Sequence, residues 1–527
     1  MRVAVERARA VLERGAARRA AKSKMDLADA IEGIDVARIN GPLDKHVLAV
    51  ACDSRRVTAG SLFFALPGEK VDGFQFVAGA IERGAVSIAS SHARPADLKL
   101  GAANAVTWIE LVPGKERRAL ARAAANFYGH PADALKLIAV TGTNGKTTTS
   151  YLVDSILRAA GFTSGLVGTI VYRTPKGQRE AANTTPESLD LQQLFAEIHE
   201  QGGTHAVLEA SSHSLAMDRL WGCHFAVAVF TNLTRDHLDY HKNFEAYFAA
   251  KRRLFEGTGA GAPDVAVLNA DDGYGARLEG LAHRTLTYAL KSSADITAKK
   301  IASGFTGLEF AVQVPGGNIQ VRSPLLGRIN IHNILAAIGA GIALDIPADK
   351  IEHGIATAEP VPGRFERIDE GQPFLVVVDY AHTDDALRNL LTAARELVPN
   401  GRVITVFGAG GERDRSKRPL MGEAAGSLSD LVVLTSDNPR SEDPLRIIND
   451  VVVGLQKVNA KYRIEADRER AIGIAFNEAR PGDIVLLAGK GHETYQAIQG
   501  RTVEFDDREK ARAALRGKHF EKQPVKR

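Results

Sequence analysis

Between residues 137 and 151 the chain reads LIAVTGTNGKTTTSY. Gly142 and Gly145 leave the backbone of Thr143 and Asn144 free to curl its N–H groups around phosphate oxygens, and Lys146 adds a positive charge. Thr147 offers a hydroxyl suited to Mg²⁺, and Thr148 continues the polar mouth. The apolar run over 137–140 and the apolar positions Tyr151, Leu152, Val153, Ile156 and Leu157 predict strand, glycine loop and helix, with the anion at the helix N-terminus. The common eight-residue phosphate loop has a glycine where this chain has Val140, so the pattern is a shorter variant, Gly-Thr-Asn-Gly-Lys-Thr-Thr. A plain glycine turn is the bland alternative. It leaves a lysine and three threonines without a packing purpose.

Other reactive residue types gather where strands should end. Apolar segments at 206–208, 226–230 and 265–268 predict parallel strands of a doubly wound sheet, whose ligands bind at the strands' carboxyl ends. Glu209-Ala-Ser211-Ser212-His213 follows one strand and Thr231-Asn232-Leu-Thr-Arg-Asp236-His237 the next. Glu209 and His237 together suit Mg²⁺, directly or through water, whereas His205 and His224 read as structural. Lys251 sits in a helical stretch over 246–255, and residue type alone puts it on a solvated face. Asn330 and Asn333 stand three apart on one helical face, where they could contact a base or ribose or could cap the helix.

A third set of strands is expected at 374–378, 403–407, 431–435 and 484–487. Their exits carry Asp379-Tyr-Ala-His382, Gly408-Ala-Gly-Gly-Glu-Arg413-Asp414, Ser436-Asp437-Asn438-Pro439-Arg440-Ser-Glu442-Asp443-Pro444 and Gly489-Lys490-Gly491-His492-Glu493. Such clusters on one rim make a site for a charged small molecule.

The elements behind these motifs need more than one core, because 527 residues exceed what a single domain buries. The expected organisation is a basic helical extension over 1–24, a small α/β domain over 25–131, a central phosphate-loop NTPase-like parallel sheet over 132–360, and a C-terminal Rossmann-like doubly wound sheet over 361–527. Glu359-Pro-Val-Pro-Gly363 reads as a hinge, and 272–324 as β-rich but irregular. The extension holds eight basic residues against Glu6 and Glu13, which exceeds the net charge of +4, so the body is slightly acidic and no polyanion binder. Met25 is an alternative start. Two cysteines, Cys52 and Cys223, argue against a disulfide framework and for a reducing, cytoplasmic setting. No apolar run suggests membrane insertion.

With these residues in place, the chain resembles the Mur ligases, ATP-dependent amide-bond enzymes that build the peptide stem of peptidoglycan and so serve cell-wall biogenesis and division. The resemblance runs from Asp53-Ser54-Arg55 to Gly489-Lys-Gly-His-Glu493, with the motifs in the family's order. Asp437-Asn-Pro-Arg440 with Glu442-Asp-Pro444 is similar to members that add meso-diaminopimelate to UDP-N-acetylmuramoyl-L-alanyl-D-glutamate. Lysine-adding members have another residue in place of that arginine.

The resemblance implies roles for the weaker signals. Residues 142–148, Asn330, Asn333, Arg364 and Asp379 would hold ATP. Ser54 would lie by the uridine nucleotide, while Asn183, Thr184, Thr185, Ser211 and Arg219, with Lys251, would hold the muramoyl-dipeptide. Arg413, Asp437, Asn438, Pro439, Arg440, Gly489 and Glu493 would hold the diamino acid. Lys251 is where the family carries a carbamylated lysine, able to position Mg²⁺ with Thr147, Glu209 and His237, which reverses the solvated reading. The expected partners are small molecules, with neither nucleic acid nor membrane, and the chain is expected to be a monomer. Met217, Glu69 and Asp384 depart from the polar residue, histidine and proline frequent in the family at those places. Folylpolyglutamate synthetases share Gly-Thr-Asn-Gly-Lys but usually continue Gly-Ser, where this chain has Thr147-Thr148. A nucleic-acid or mechanical ATPase fits the near-neutral body poorly, and a non-enzymatic binding module leaves Lys146, Thr147, Glu209 and His237 without a task.

Overall fold

The computed structural model describes residues 25–68, 71–96 and 106–517. The basic segment 1–24, with its expected helix, and Glu69 lie outside the described residues.

Around the phosphate loop the strand Lys136–Thr141 runs into the helix Lys146–Ala159. Side chains alternate across a strand, so Ile138 and Val140 join Leu152, Ile156, Ile334 and Ile338 in one core. Leu137 and Ala139 join Phe195, Phe230 and Phe255 in the other. Both faces are covered, which is why the strand is a continuous apolar run and not an alternating one.

This strand is central to an eleven-stranded sheet. Its neighbours His205–Glu209 and Val227–Phe230 are parallel to it, followed outward by Ser164–Val167 on one side and Val265–Asn269 and Arg284–Ala289 on the other. The expected all-parallel sheet needs correction at both edges. Val171–Thr174 and Gly177–Glu180 form an antiparallel hairpin at one edge. Ile296–Gly304, Gly307–Val314 and Gly317–Ser323 form antiparallel pairs at the other, so the stretch read as irregular is ordered sheet. Leu308, Phe310 and Val312 are buried while their sequence neighbours are more open, the alternation of a sheet covered on one face only.

The C-terminal sheet runs Glu366–Ile368, Leu375–Asp379, Ile484–Ala488, Val403–Phe407, Leu431–Leu434, Tyr462–Ile464, parallel throughout except for its first strand. Among the described residues the N-terminal sheet has five strands, of which only Val36–Asn40 is antiparallel to its neighbour. Arg56 bonds Asp190 at 2.8 Å and Arg117 bonds Glu187 at 2.9 Å, tying the N-terminal domain to the helix Ser188–Glu200 and its cap. At the other junction Gly363 has φ 64°, and a Cβ there would lie 2.0 Å from the His492 nitrogen. Only glycine fits that turn.

Candidate active site

The carboxyl ends of the central strands face those of the C-terminal sheet, and three adjoining cavities open between them. The first centres on the phosphate loop. Gly142 has φ 144° and Gly145 φ 87°; a Cβ on the first would strike the Thr231 hydroxyl at 1.9 Å, and on the second the Asn333 side-chain amide oxygen at 2.3 Å. Both glycines therefore meet a steric demand as well as a conformational one. Lys146 folds back to donate to the carbonyls of Gly142 and Thr143 at 3.0 and 2.8 Å. Thr147 donates to Glu209 at 3.0 Å, and Glu209 also accepts from the Thr169 nitrogen and hydroxyl at 2.8 and 2.9 Å.

Lys251 overturns the solvated reading. It is 1% exposed and donates to the Gly142 carbonyl at 2.7 Å, with the Tyr247 ring 4.6 Å away. Burial, reinforced by the charge of Lys146, pulls its pKa well below the ordinary lysine value. Burial also lowers His237 to about 4, against the pull of Asp236, whose carboxylate lies 3.3 Å away. His237 holds a left-handed backbone at φ 52°, a strained conformation of the kind that gathers at functional sites.

Thr184, Ser211 and Ser212 line the same cavity. Thr185 and Arg219 stand one step back: Thr185 donates to the Glu209 carbonyl at 2.6 Å, and Arg219 donates to the Thr185 carbonyl at 2.8 Å. Met217 meets Arg219 through its sulfur, at 3.7 Å. Asn183 is bonded through its backbone to the Tyr172 hydroxyl and does not line the cavity. Ser54 lies in the N-terminal domain, away from all three cavities. Next to it Asp53 accepts from both the nitrogen and the guanidinium of Arg55, which is the polar turn that Asp-Ser-Arg predicts in isolation.

The second cavity, of about 400 Å³, shares Asn144, Gly145, Thr148, Arg364 and Asp379 with the first. Asn330 and Asn333 line it. The capping alternative is excluded, because Arg328 is the N-cap of that helix; Asn330 donates to the Leu326 carbonyl and Asn333 to Asn330. Sequence reading set Asn232 in a strand-exit cluster but gave it no role here, and missed Asn269, Asp271 and His332. Asp271 is half-buried, yet the Leu290 nitrogen and His332 hold it well below the usual carboxylate range. Arg364 stacks over Tyr380 at 4.4 Å, and Asp379 accepts from the nitrogens of Phe365 and Ala381. Asp384 opens the helix Asp384–Leu397 at its first position, where proline and an acidic side chain are both tolerated, so that departure is benign.

The third cavity, of about 500 Å³, is lined by Arg413, Asp437, Asn438, Arg440, Gly489 and Glu493. Pro439 does not line it; its carbonyl backs onto Gly411. Asn438 donates to Glu493 at 2.8 Å, and the buried Lys490 donates to Glu493 at 3.0 Å. Arg440 adopts φ 55°, held by backbone bonds to Ala497 and Gln499 of a small hairpin. Cations and carboxylates of both signs in one cavity suit an amino acid with charged groups at both ends.

Among the described residues no group of three or more His, Cys, Asp and Glu side chains is arranged to hold a metal on its own. Thr147 and Glu209 nevertheless supply adjacent oxygen donors beside the phosphate loop, as Mg²⁺ bound mainly through substrate phosphates requires. No helix among the described residues is long and apolar enough to cross a membrane.

Comparison with known proteins gives the family. Profiles of the Mur ligase family catalytic domain, the Mur ligase middle domain and the Mur ligase glutamate ligase domain match residues 46–142, 140–341 and 363–491. A UDP-N-acetylmuramoyl-L-alanyl-D-glutamate--2,6-diaminopimelate ligase of Solibacter usitatus is 53% identical over 497 residues, covering 94% of this chain and 99% of its own. The protein of the same name from Geobacter metallireducens is 43% identical over 513 residues, 93% of this chain and 98% of its own. A solved structure of a ligase of that name superposes with a TM-score of 0.64 at 34% identity, covering 94% of this chain and 99% of that one. A Mycobacterium tuberculosis folylpolyglutamate synthase reaches a TM-score of 0.58 at 18% identity over 72% of this chain and 92% of its own, a likeness of fold.

Proposed function

The chain belongs to the Mur ligase family, and we propose that it joins meso-2,6-diaminopimelate to the D-glutamate γ-carboxylate of UDP-N-acetylmuramoyl-L-alanyl-D-glutamate at the cost of ATP, in peptidoglycan synthesis. The observation that carries this reading is the junction of the phosphate-loop cavity with a cavity bearing Arg413, Asp437, Asn438, Arg440 and Glu493.

A carboxylate does not condense with an amine at neutral pH, because oxide is too poor a leaving group. Attack of the γ-carboxylate on the γ-phosphate of ATP makes an acyl phosphate, whose phosphate can leave. Lys146 turns from the Gly142 and Thr143 carbonyls to the transferring phosphate and offsets its charge. Asn330 and Asn333, with Arg364 and Asp379, hold the nucleoside end of ATP. Thr184 and Ser211 orient the muramoyl-dipeptide, with Thr185 and Arg219 behind them, and Ser54 and Asn183 belong to its longer path. Thr147, Glu209, His237 and a carbamylated Lys251 form the Mg²⁺ side of the site, and the ion when bound neutralises phosphate charge. Carbamylation needs a neutral amine, and the depressed pKa of Lys251 supplies one. Arg440 answers the distal carboxylate of diaminopimelate, which lysine lacks. The protein acts as a cytoplasmic monomer.

The test is phosphate release from ATP with the UDP-muramoyl-dipeptide and a panel of amino acids. Diaminopimelate should exceed lysine in kcat/KM by at least ~10²-fold, the scale of about 3 kcal/mol for a charge-assisted hydrogen bond. Equal values would remove diaminopimelate from the reading.

A further inference from the structure

The new amide bond joins an acyl carbon beside the phosphate loop to an amine delivered from the third cavity, so the amine crosses the wall between them. Four residues line both cavities: Asp236, His237, Tyr380 and His382. An amino acid arrives as an ammonium ion, which has no lone pair until a base removes a proton. The wall is where that base must stand.

Three of the four are poorly suited. Asp236 is engaged with its neighbour, one oxygen accepting from the His237 backbone nitrogen at 2.9 Å and the other lying 3.3 Å from that residue's ring. His237 is allotted to the Mg²⁺ side. Burial drives the Tyr380 phenol upward, so it keeps its proton.

His382 differs in its hydrogen bonding. Its Nδ1 lies 2.9 Å from the Tyr380 carbonyl oxygen. A carbonyl only accepts, so Nδ1 carries the hydrogen and the neutral ring presents Nε2 with a free lone pair. The residue sits on the exit of the strand Leu375–Asp379, directly before the helix whose Thr383 cap bonds the Ala386 nitrogen at 3.2 Å. Both bonds hold the histidine's backbone and ring at the wall.

We propose that His382 is the general base that deprotonates the incoming amine. The proton passes from the ammonium of diaminopimelate to Nε2. The freed lone pair then attacks the acyl-phosphate carbon, the carbon–oxygen bond to phosphate breaks, and the second amine proton leaves with the phosphate as hydrogen phosphate. The imidazolium returns its proton to water.

This inference rests on the ligase reading, and a nucleophile that needs no base separates the two. Hydroxylamine is mostly unprotonated at neutral pH and converts an acyl phosphate into a hydroxamate. In His382→Asn the side-chain amide can still donate to the Tyr380 carbonyl but offers no base. Diaminopimelate ligation should fall at least ~10²-fold, while hydroxamate formation from ATP, UDP-muramoyl-dipeptide and hydroxylamine stays within about threefold. Ligation within about tenfold of the unmodified enzyme overturns the proposal, and so does an equal loss of both reactions in a variant whose thermal unfolding is unchanged. If His382→Asn fails to fold, His382→Gln carries the same comparison. An unmodified enzyme that forms no hydroxamate refutes the ligase reading itself.

Discussion

Lys146 and Lys251 both donate to the carbonyl oxygen of Gly142, and they should fail differently when removed. Lys146→Ala takes away a charge aimed at the transferring phosphate but touches no apolar core, so ligation should drop ~10²- to 10³-fold with the unfolding temperature little changed. Full activity in that variant would undo the phosphate-loop reading. Lys251→Ala should lose activity too, yet recover part of it with added short-chain carboxylates that replace the carbamate. The same rate with and without them argues that Lys251 is unmodified. The two lysines also differ in how far they were legible. Lys146 is announced by a local pattern, since a glycine loop dictates what its own backbone does. The surroundings of Lys251 are set by the fold, and the residue type favoured exposure. A signal existed nonetheless: Tyr247, Lys251, Leu254 and Phe255 share one face of their helix, and all four are buried. Arg440→Ala should erase most of the preference for diaminopimelate over lysine, read as the ratio of their kcat/KM values.

The helix Lys417–Leu428 both lines the third cavity, through Lys417, Arg418 and Met421, and fixes the loops around it. Arg418, 1% exposed, donates to both oxygens of Glu442, to Asp450 and to the Gly410 carbonyl, fastening the two loops that carry Arg413 and Arg440. Sequence reading recovered the loops, whose polar residues follow apolar strands, and overlooked this arginine because its partners lie 24 and 32 residues away. The hydrogen bond from Arg418 holds Glu442 down at about 2, against an ordinary value of 4.5. A depressed carboxylate stabilises the fold above its unfolded pKa, and that contribution is lost as pH falls through the folded pKa. Arg418→Met should therefore lower stability most near neutrality, and the gap to the unmodified protein should narrow between pH 4.5 and 2. Denaturant unfolding at a series of pH values reads this directly. A gap independent of pH would mean that Arg418 acts through packing alone.

At the scale of the whole molecule, no single domain owns the site. The central sheet supplies the phosphate loop, Asn330 and Asn333; the C-terminal sheet supplies Arg364, Asp379 and the amino-acid cavity. Local pattern located each rim but not how the rims meet, because that geometry depends on the turn at Gly363 and on contacts such as Asn144 to Asp385 at 3.3 Å. A Cβ at Gly363 would lie 2.0 Å from the His492 nitrogen and 2.1 Å from the Gly491 carbonyl carbon. These are backbone atoms of the segment bearing Gly489 and Glu493, so they cannot swing aside as a side chain could. The positive φ adds a second penalty for alanine, of about 1 kcal/mol. Neither cost falls on the apolar cores, so Gly363→Ala should keep its secondary structure and still bind ATP at the phosphate loop. It should be unable to bring the two rims to this separation, leaving the acyl phosphate open to water. ATP would then be hydrolysed without ligation: phosphate release dependent on the UDP-muramoyl-dipeptide should persist while amide formation falls by ~10²-fold or more. Small-angle scattering with both substrates bound should report a larger radius of gyration than for the unmodified enzyme. Tight coupling of phosphate release to amide formation in the variant would show that closure does not depend on this turn.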